Sequence, residues 1–134
     1  MNTFKSQQLS IQRTAEEVYN FITDFSKLGS LMPDRVVNWS STADTCSFEI
    51  QGMAKLNMRL KEKKACTLLN MIAEGQNPFH YELFIKIFSA NENRSEVAVE
   101  FHAELNSMLS MMASKPLQNL VELMVEKLKE ELEG

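Results

Sequence analysis

The chain has 134 residues, 44% of them apolar and 24% charged, and a formal net charge of −4. That size and balance fit one globular domain over residues 1–134, with a core that needs neither disulfides nor metals. They exclude low-complexity, disordered and broadly basic nucleic-acid-binding chains. The sequence has no run of about 18 apolar residues, and Met1–Ser10 lacks an apolar signal core, so a cytoplasmic protein without integral membrane association is expected.

Phe4 to Gln12 alternates, with Leu9 and Ile11 on one side and Ser10 and Gln12 on the other, which predicts a first strand. Thr14-Ala15-Glu16-Glu17 then matches a capping box, the Thr14 hydroxyl accepting from a first-turn amide while Glu17 reaches back to the cap. The helix it opens carries Val18, Phe21, Ile22 and Phe25 on one face. Ser26 restarts a shorter helix through Leu28, Leu31 and Met32, which Pro33 helps to end.

From Arg35 to Leu105 the period is that of strands. Six more are predicted: Val36 to Ser41, Thr45 to Gln51, Leu56 to Lys63, Thr67 to Glu74, Phe79 to Ser89 and Ser95 to Leu105. Short links such as Thr42-Ala43-Asp44 and Gly75-Gln76-Asn77-Pro78 favour an antiparallel meander. Alternation assigns Cys46, Phe48 and Ile50, Leu56, Met58 and Leu60, and Leu69, Met71 and Ala73 to an inner face. The same face takes Tyr81, Leu83, Ile85 and Ile87, and Val97, Val99, Phe101, Ala103 and Leu105. Glu49, Arg59, Lys61, Glu74, Glu82, Lys86, Glu100 and Glu104 fall outside. Lys61, Lys63 and Lys64, with Glu62 among them, read as a solvated strand end. Cys46 and Cys66 lack a CxxC or histidine companion and read as core fillers.

The last quarter begins with a methionine-dense segment, Met108 to Met112, expected to break at Ser114, Lys115 and Pro116. From Leu117 the positions Leu117, Leu120, Val121, Met124, Leu128 and Leu132 share one face of a long helix. A proline in that helix's first turn implies a differently angled segment before it, able to act as a lid.

A strand, two short helices, six antiparallel strands and a long C-terminal helix resemble the helix-grip order of the START-like, Bet v 1-like (SRPBCC) superfamily. The stretch from Ser10-Ile11-Gln12-Arg13 through Thr14-Ala15-Glu16-Glu17-Val18-Tyr19-Asn20-Phe21-Ile22-Thr23-Asp24-Phe25 is similar to that superfamily's opening, with Thr14-Ala15 where Ser-Pro or Ala-Pro is frequent. Among its members the chain most resembles the small bacterial polyketide cyclase/dehydrase and lipid-transport group. The resemblance implies an α+β fold in which a curved seven-stranded antiparallel sheet, in the order β-α-α-β6-α, grips the last helix. It also implies an apolar cavity between them for a lipid, sterol, polyketide or similar hydrophobic molecule.

On that basis the expected cavity wall comprises Trp39, Phe48, Met58, Leu69, Met71, Tyr81, Leu83, Ile85, Val99 and Phe101 from the sheet. Leu117, Val121 and Met124 complete it from the helix. Tyr81, Thr67 and Gln7 would orient the ligand, and Trp39, facing in with Val37, would add an aromatic wall. Met32, Met108, Met111 and Met112 are placed at the cavity mouth, where flexible thioethers repack around varied ligands.

Catalysis is the competing class. His80 and His102 fall on the outward face beside Glu82 and Glu100, and no Ser-His-Asp spacing, phosphate loop, HExxH or inward carboxylate pair occurs. No catalytic residue, metal or cofactor is therefore assigned. A cyclase-like enzyme is the first alternative to hydrophobic-ligand binding. A protein-interaction module of the chaperone-activator type, using the outer face, is the second. The polar face of the last helix, with Glu122, Glu126, Glu130, Glu131 and Glu133, is too acidic for anionic lipid.

Overall fold

In a computed structural model describing residues 1–134, eight antiparallel strands form one sheet that curves around a long helix. The strands are β1 (Asn2–Lys5), β2 (Leu9–Ile11), β3 (Val36–Ser41), β4 (Thr45–Ile50), β5 (Ala54–Lys64), β6 (Leu68–Ala73), β7 (Tyr81–Asn91) and β8 (Arg94–Ala103). Between β2 and β3 lie α1 (Ala15–Ile22), α2 (Phe25–Leu28) and a 3-10 turn (Gly29–Leu31), and α3 (Ser107–Glu133) ends the chain. The strand order β1-β8-β7-β6-β5-β4-β3, with β2 also on β8, puts β1 and β2 at one edge and β3 at the other. This is the α+β helix-grip fold expected from the element order.

The first predicted strand is two. Lys5 pairs with Glu100 and Leu9 with Val97, so three residues on one side oppose two on the other. The Ser6 hydroxyl absorbs this bulge by accepting the Val99 N–H at 2.8 Å. The expected helix start is confirmed: Thr14 and Glu17 form both bonds of the capping box.

The break expected at Ser114-Lys115-Pro116 is absent, because α3 runs unbroken for 27 residues with Pro116 inside it. Its N-cap is Asn106, whose side chain accepts from the Leu109 N–H at 2.9 Å. Pro116 costs the helix one N–H, the usual partner of the Met112 carbonyl. Burial of the adjoining face compensates, with Ala113, Leu117, Leu120, Val121, Met124, Val125 and Leu128 all buried. The methionine segment is thus the start of the main helix, not a separate lid.

Polar straps hold α3 to one side of the sheet. Gln118 donates to the Lys5 carbonyl, Lys129 to that of Ser10, and the Gln12 N–H to the Glu133 carboxylate. Lys127 donates to the Met32 carbonyl at 2.9 Å. None of the side-chain bonds of α3 reaches β3 or β4.

Near that far edge, Asn38 takes a left-handed φ of 58° and the β3–β4 register shifts between Val37 and Ser40. Val36 pairs with the inward Ile50 and Val37 with the outward Glu49, so the expectation that Val37 shares the inner face is corrected. Past the shift Trp39 turns inward, stacks on Phe48 at 5.4 Å and donates its indole N–H to the Phe25 carbonyl at 3.1 Å. It lies against Gly29, where an added Cβ would stand 2.5 Å from the indole. Gly29 has an ordinary helical φ of −59°, a setting in which alanine is normally better by about 1 kcal/mol. The indole reverses that sign: Gly29→Ala should destabilise by about 1–3 kcal/mol through overpacking, read from its urea midpoint.

Candidate functional site

The residues expected to line a cavity form a solid core. Phe48, Met58, Leu69, Met71, Tyr81, Leu83, Ile85, Val99, Phe101, Leu117, Val121 and Met124 all belong to one buried cluster, and Trp39 packs against it. Tyr81 stacks on Phe101 at 4.9 Å and meets Phe79 edge-on at 5.9 Å. None of these residues lines a cavity. Leucine, isoleucine, methionine and aromatic side chains from the sheet and α3 fill the space.

The expected orienting groups are likewise committed elsewhere. The Tyr81 hydroxyl donates to the Asn57 carbonyl at 2.9 Å, and burial, with Cys46 adding to it, pushes the phenol up from its ordinary range. Burial pushes the Cys46 thiol up to about 12, which keeps it an inert neutral filler. Thr67 caps the β5–β6 turn by donating to the Lys64 carbonyl, and Gln7 is exposed in the β1–β2 bulge.

The four mouth methionines do not converge. Met32 is buried beside Lys127, whereas Met108, Met111 and Met112 are 72%, 88% and 55% exposed. Lys127 lies about 22 Å along the helix from Met112 at 1.5 Å per residue.

Apolar space occurs instead between α3 and the β3–β4 edge, as a part-open groove of about 200 Å³. Val36 and Ile50, directly paired on the inner face, are its sheet side. Pro116, Asn119, Leu120 and Leu123 come from α3, one helical turn apart, and Pro33, Asp34 and Arg35 come from the segment before β3. Met112 precedes Pro116 by one turn of α3 on roughly the same face, and Met32 directly precedes the groove residue Pro33. Lys127, one turn beyond Leu123, lies 4.0 Å from Asp34. A larger depression of about 640 Å³ beside Asn57, Gln76 and Asn77 is shallow and polar. There Asn57 already donates to the Gln76 carbonyl and accepts from Ser47.

Three features hid the groove from sequence reading. Val36 and Val37 exchange faces through the Asn38 bulge, Leu120 looks like a core-facing helix position while Leu123 falls off that face, and Pro116 looks like a helix start. The pairing of a proline with a small polar Asn119 on the side facing Val36 was the available signal.

The outer sheet face is laced by cross-strand pairs: Lys61–Glu82 at 2.8 Å, Lys86–Glu100 at 2.9 Å and Arg59–Glu74 at 3.5 Å. His102 lies 3.0 Å from Glu100 and packs on Phe84 at 4.7 Å, while His80 is exposed. Phe84 therefore gives this face an aromatic centre, though Lys86 lies over its ring. The Lys61 hydrogen bond holds the Glu82 carboxyl below its ordinary range. For Glu100, burial pushes the carboxyl up, but the His102 and Lys86 bonds together outweigh it and the net shift is down.

No protein-family model matches the sequence, and no curated protein matches it either. The structure matches several solved ones. A conserved protein from Geobacillus kaustophilus superposes with a TM-score of 0.76 at 15% identity, covering 99% of this chain and 95% of that one. A START superfamily protein from Mycobacterium smegmatis gives 0.73 at 12% identity, over 98% and 97%. Norcoclaurine synthase from Thalictrum flavum gives 0.74 at 9% identity, over 97% and 85%. The chain has the START/Bet v 1-like fold. No helix is long and apolar enough to cross a membrane.

Tyr81→Phe should cost about 1 kcal/mol of stability, since the Asn57 carbonyl keeps the Glu74 N–H at 3.0 Å, and should leave ligand binding unchanged in a titration. The depressed Glu82 and Glu100 carboxyls contribute stability that is complete above the unfolded glutamate value of about 4.3 and is lost as pH falls through their lower folded values. Urea midpoints measured against pH should therefore fall on the acid side, and less steeply in Lys61→Gln.

Proposed function

We propose that this chain binds a hydrophobic small molecule in the groove between α3 and the β3–β4 edge, as one domain acting in the cytoplasm. The supporting observation is the groove itself: about 200 Å³ bordered by Val36, Ile50, Leu120 and Leu123, in a protein whose other apolar interior space is filled. Leu123 is 39% exposed, an apolar cost to the free protein that a ligand removes. Each methylene transferred from water into the groove contributes about 0.8 kcal/mol. The resemblance to SRPBCC proteins, whose relatives hold lipids or polyketides between sheet and helix, supports the same reading. Function then consists of desolvating and enclosing the ligand.

Native mass spectrometry of the freshly purified protein, followed by solvent extraction, tests this. A small apolar adduct is expected on the wild type. Leu123→Trp, which fills the groove from an exposed position, should lose the adduct with an unchanged melting temperature. Retention of the adduct in Leu123→Trp would place the ligand elsewhere.

A further inference from the structure

We infer that the groove's ligand is a small amphiphile with a single negative charge, a monocarboxylate of medium chain or one ring, whose head sits on Arg35. This rests on the reading above that the groove is the binding site, and it adds the ligand's size and charge. Size follows from volume. An apolar cavity of about 150 Å³ holds a six-carbon ring, so the 200 Å³ here takes about eight carbons on the same scale. A whole sterol or long acyl chain exceeds it.

Charge follows from the groups around the groove. The sheet contributes only Val36 and Ile50, and the α3 residues that line the groove are all uncharged, Asn119 being the polar one. Lys115 and Glu126, on neighbouring turns of α3, are both exposed, of opposite sign and absent from the groove lining. On the segment before β3, Asp34 points into solvent and is met by Lys127, which also donates to the Met32 carbonyl. That leaves Arg35.

Arg35 makes no ion pair within 4.0 Å. Its guanidinium is nonetheless positioned. It donates to the Gln51 carbonyl at 2.7 Å, next in sequence to Ile50 of the groove, while the Arg35 carbonyl accepts the Gln51 N–H at 2.8 Å. Gly52, at φ +79°, leaves the room it occupies, since a Cβ there would stand 3.0 Å from Nη2. Of the five guanidinium donors this fixes one side and leaves the others for an incoming oxygen pair. One guanidinium matches one carboxylate fork. A phosphate dianion would want a second free cation, and Lys127 is already engaged.

Titrations of octanoate, octanol and dodecanoate into the wild type and Arg35→Gln, followed by calorimetry and by amide shifts of Val36, Ile50, Leu120 and Leu123, test the inference. Octanoate should bind about fivefold more tightly than octanol at low salt, the scale of a partly exposed ion pair. High salt should shrink the ratio. In Arg35→Gln the ratio should fall to near one, the loss falling on octanoate. Dodecanoate should gain little over octanoate, its added methylenes staying in water. Equal octanoate and octanol binding by the wild type, a ratio that survives in Arg35→Gln, or a large gain with dodecanoate would each overturn the inference while leaving the groove as a binding site. Failure of all three compounds to shift the groove amides would overturn the proposed function itself.

Discussion

Burial of the apolar face of α3 against the concave sheet is the constraint on which the rest of the molecule depends. Leu117, Leu120, Val121, Met124, Val125 and Leu128 can leave water only if the strands curve around them. The helix is long enough to tolerate Pro116 because those contacts, rather than its own hydrogen bonds, hold it in place. The inner residues of β4 to β8 meet the same face, so that the core is one continuous cluster.

The asymmetry of the site follows from where the polar straps lie. Gln118, Lys129 and Glu133 draw α3 toward the β1/β2 edge, and Lys127 anchors it to the end of the 3-10 turn. Nothing comparable draws it to β3 and β4. At that edge the Asn38 bulge turns Trp39 inward onto Gly29 and Phe48, which fills the α2 side of the gap. Val36 and Ile50 are left facing Leu120 and Leu123 with no side chain long enough to close the distance, since Pro116 and Asn119 are short. A groove at this position is the geometric remainder of a helix held from one side.

Much of this was legible in sequence, and the failures have physical causes. The capping box at Thr14 and the alternation from β4 to β8 were local patterns that tertiary packing had no reason to override. The β1–β2 split was hidden because Ser6 replaces a ladder partner with its hydroxyl, which periodicity does not register. Pro116 was misread because a proline inside a helix and one in its first turn look alike unless the cap at Asn106 is noticed. For the site, alternation identified which residues face inward but carried no information on whether they touch. Phe48, Met71, Tyr81 and Phe101 face inward and close the space, whereas Val36 and Ile50 face inward and border the open one. The exposed Met108 and Met111 show the same limit from the other side, since flexibility of a side chain does not place it at a mouth.

The central claim is that apolar ligands enter the groove and not the interior between sheet and helix. Intermolecular nuclear Overhauser effects between bound octanoate and the protein's methyl groups measure this directly. Contacts to Val36, Ile50, Leu120 and Leu123, with none to Leu69, Met71, Leu83 or Val99, are the expected result. Contacts to Leu69, Met71 or Val99 would show that the core opens to admit the ligand and would contradict the account.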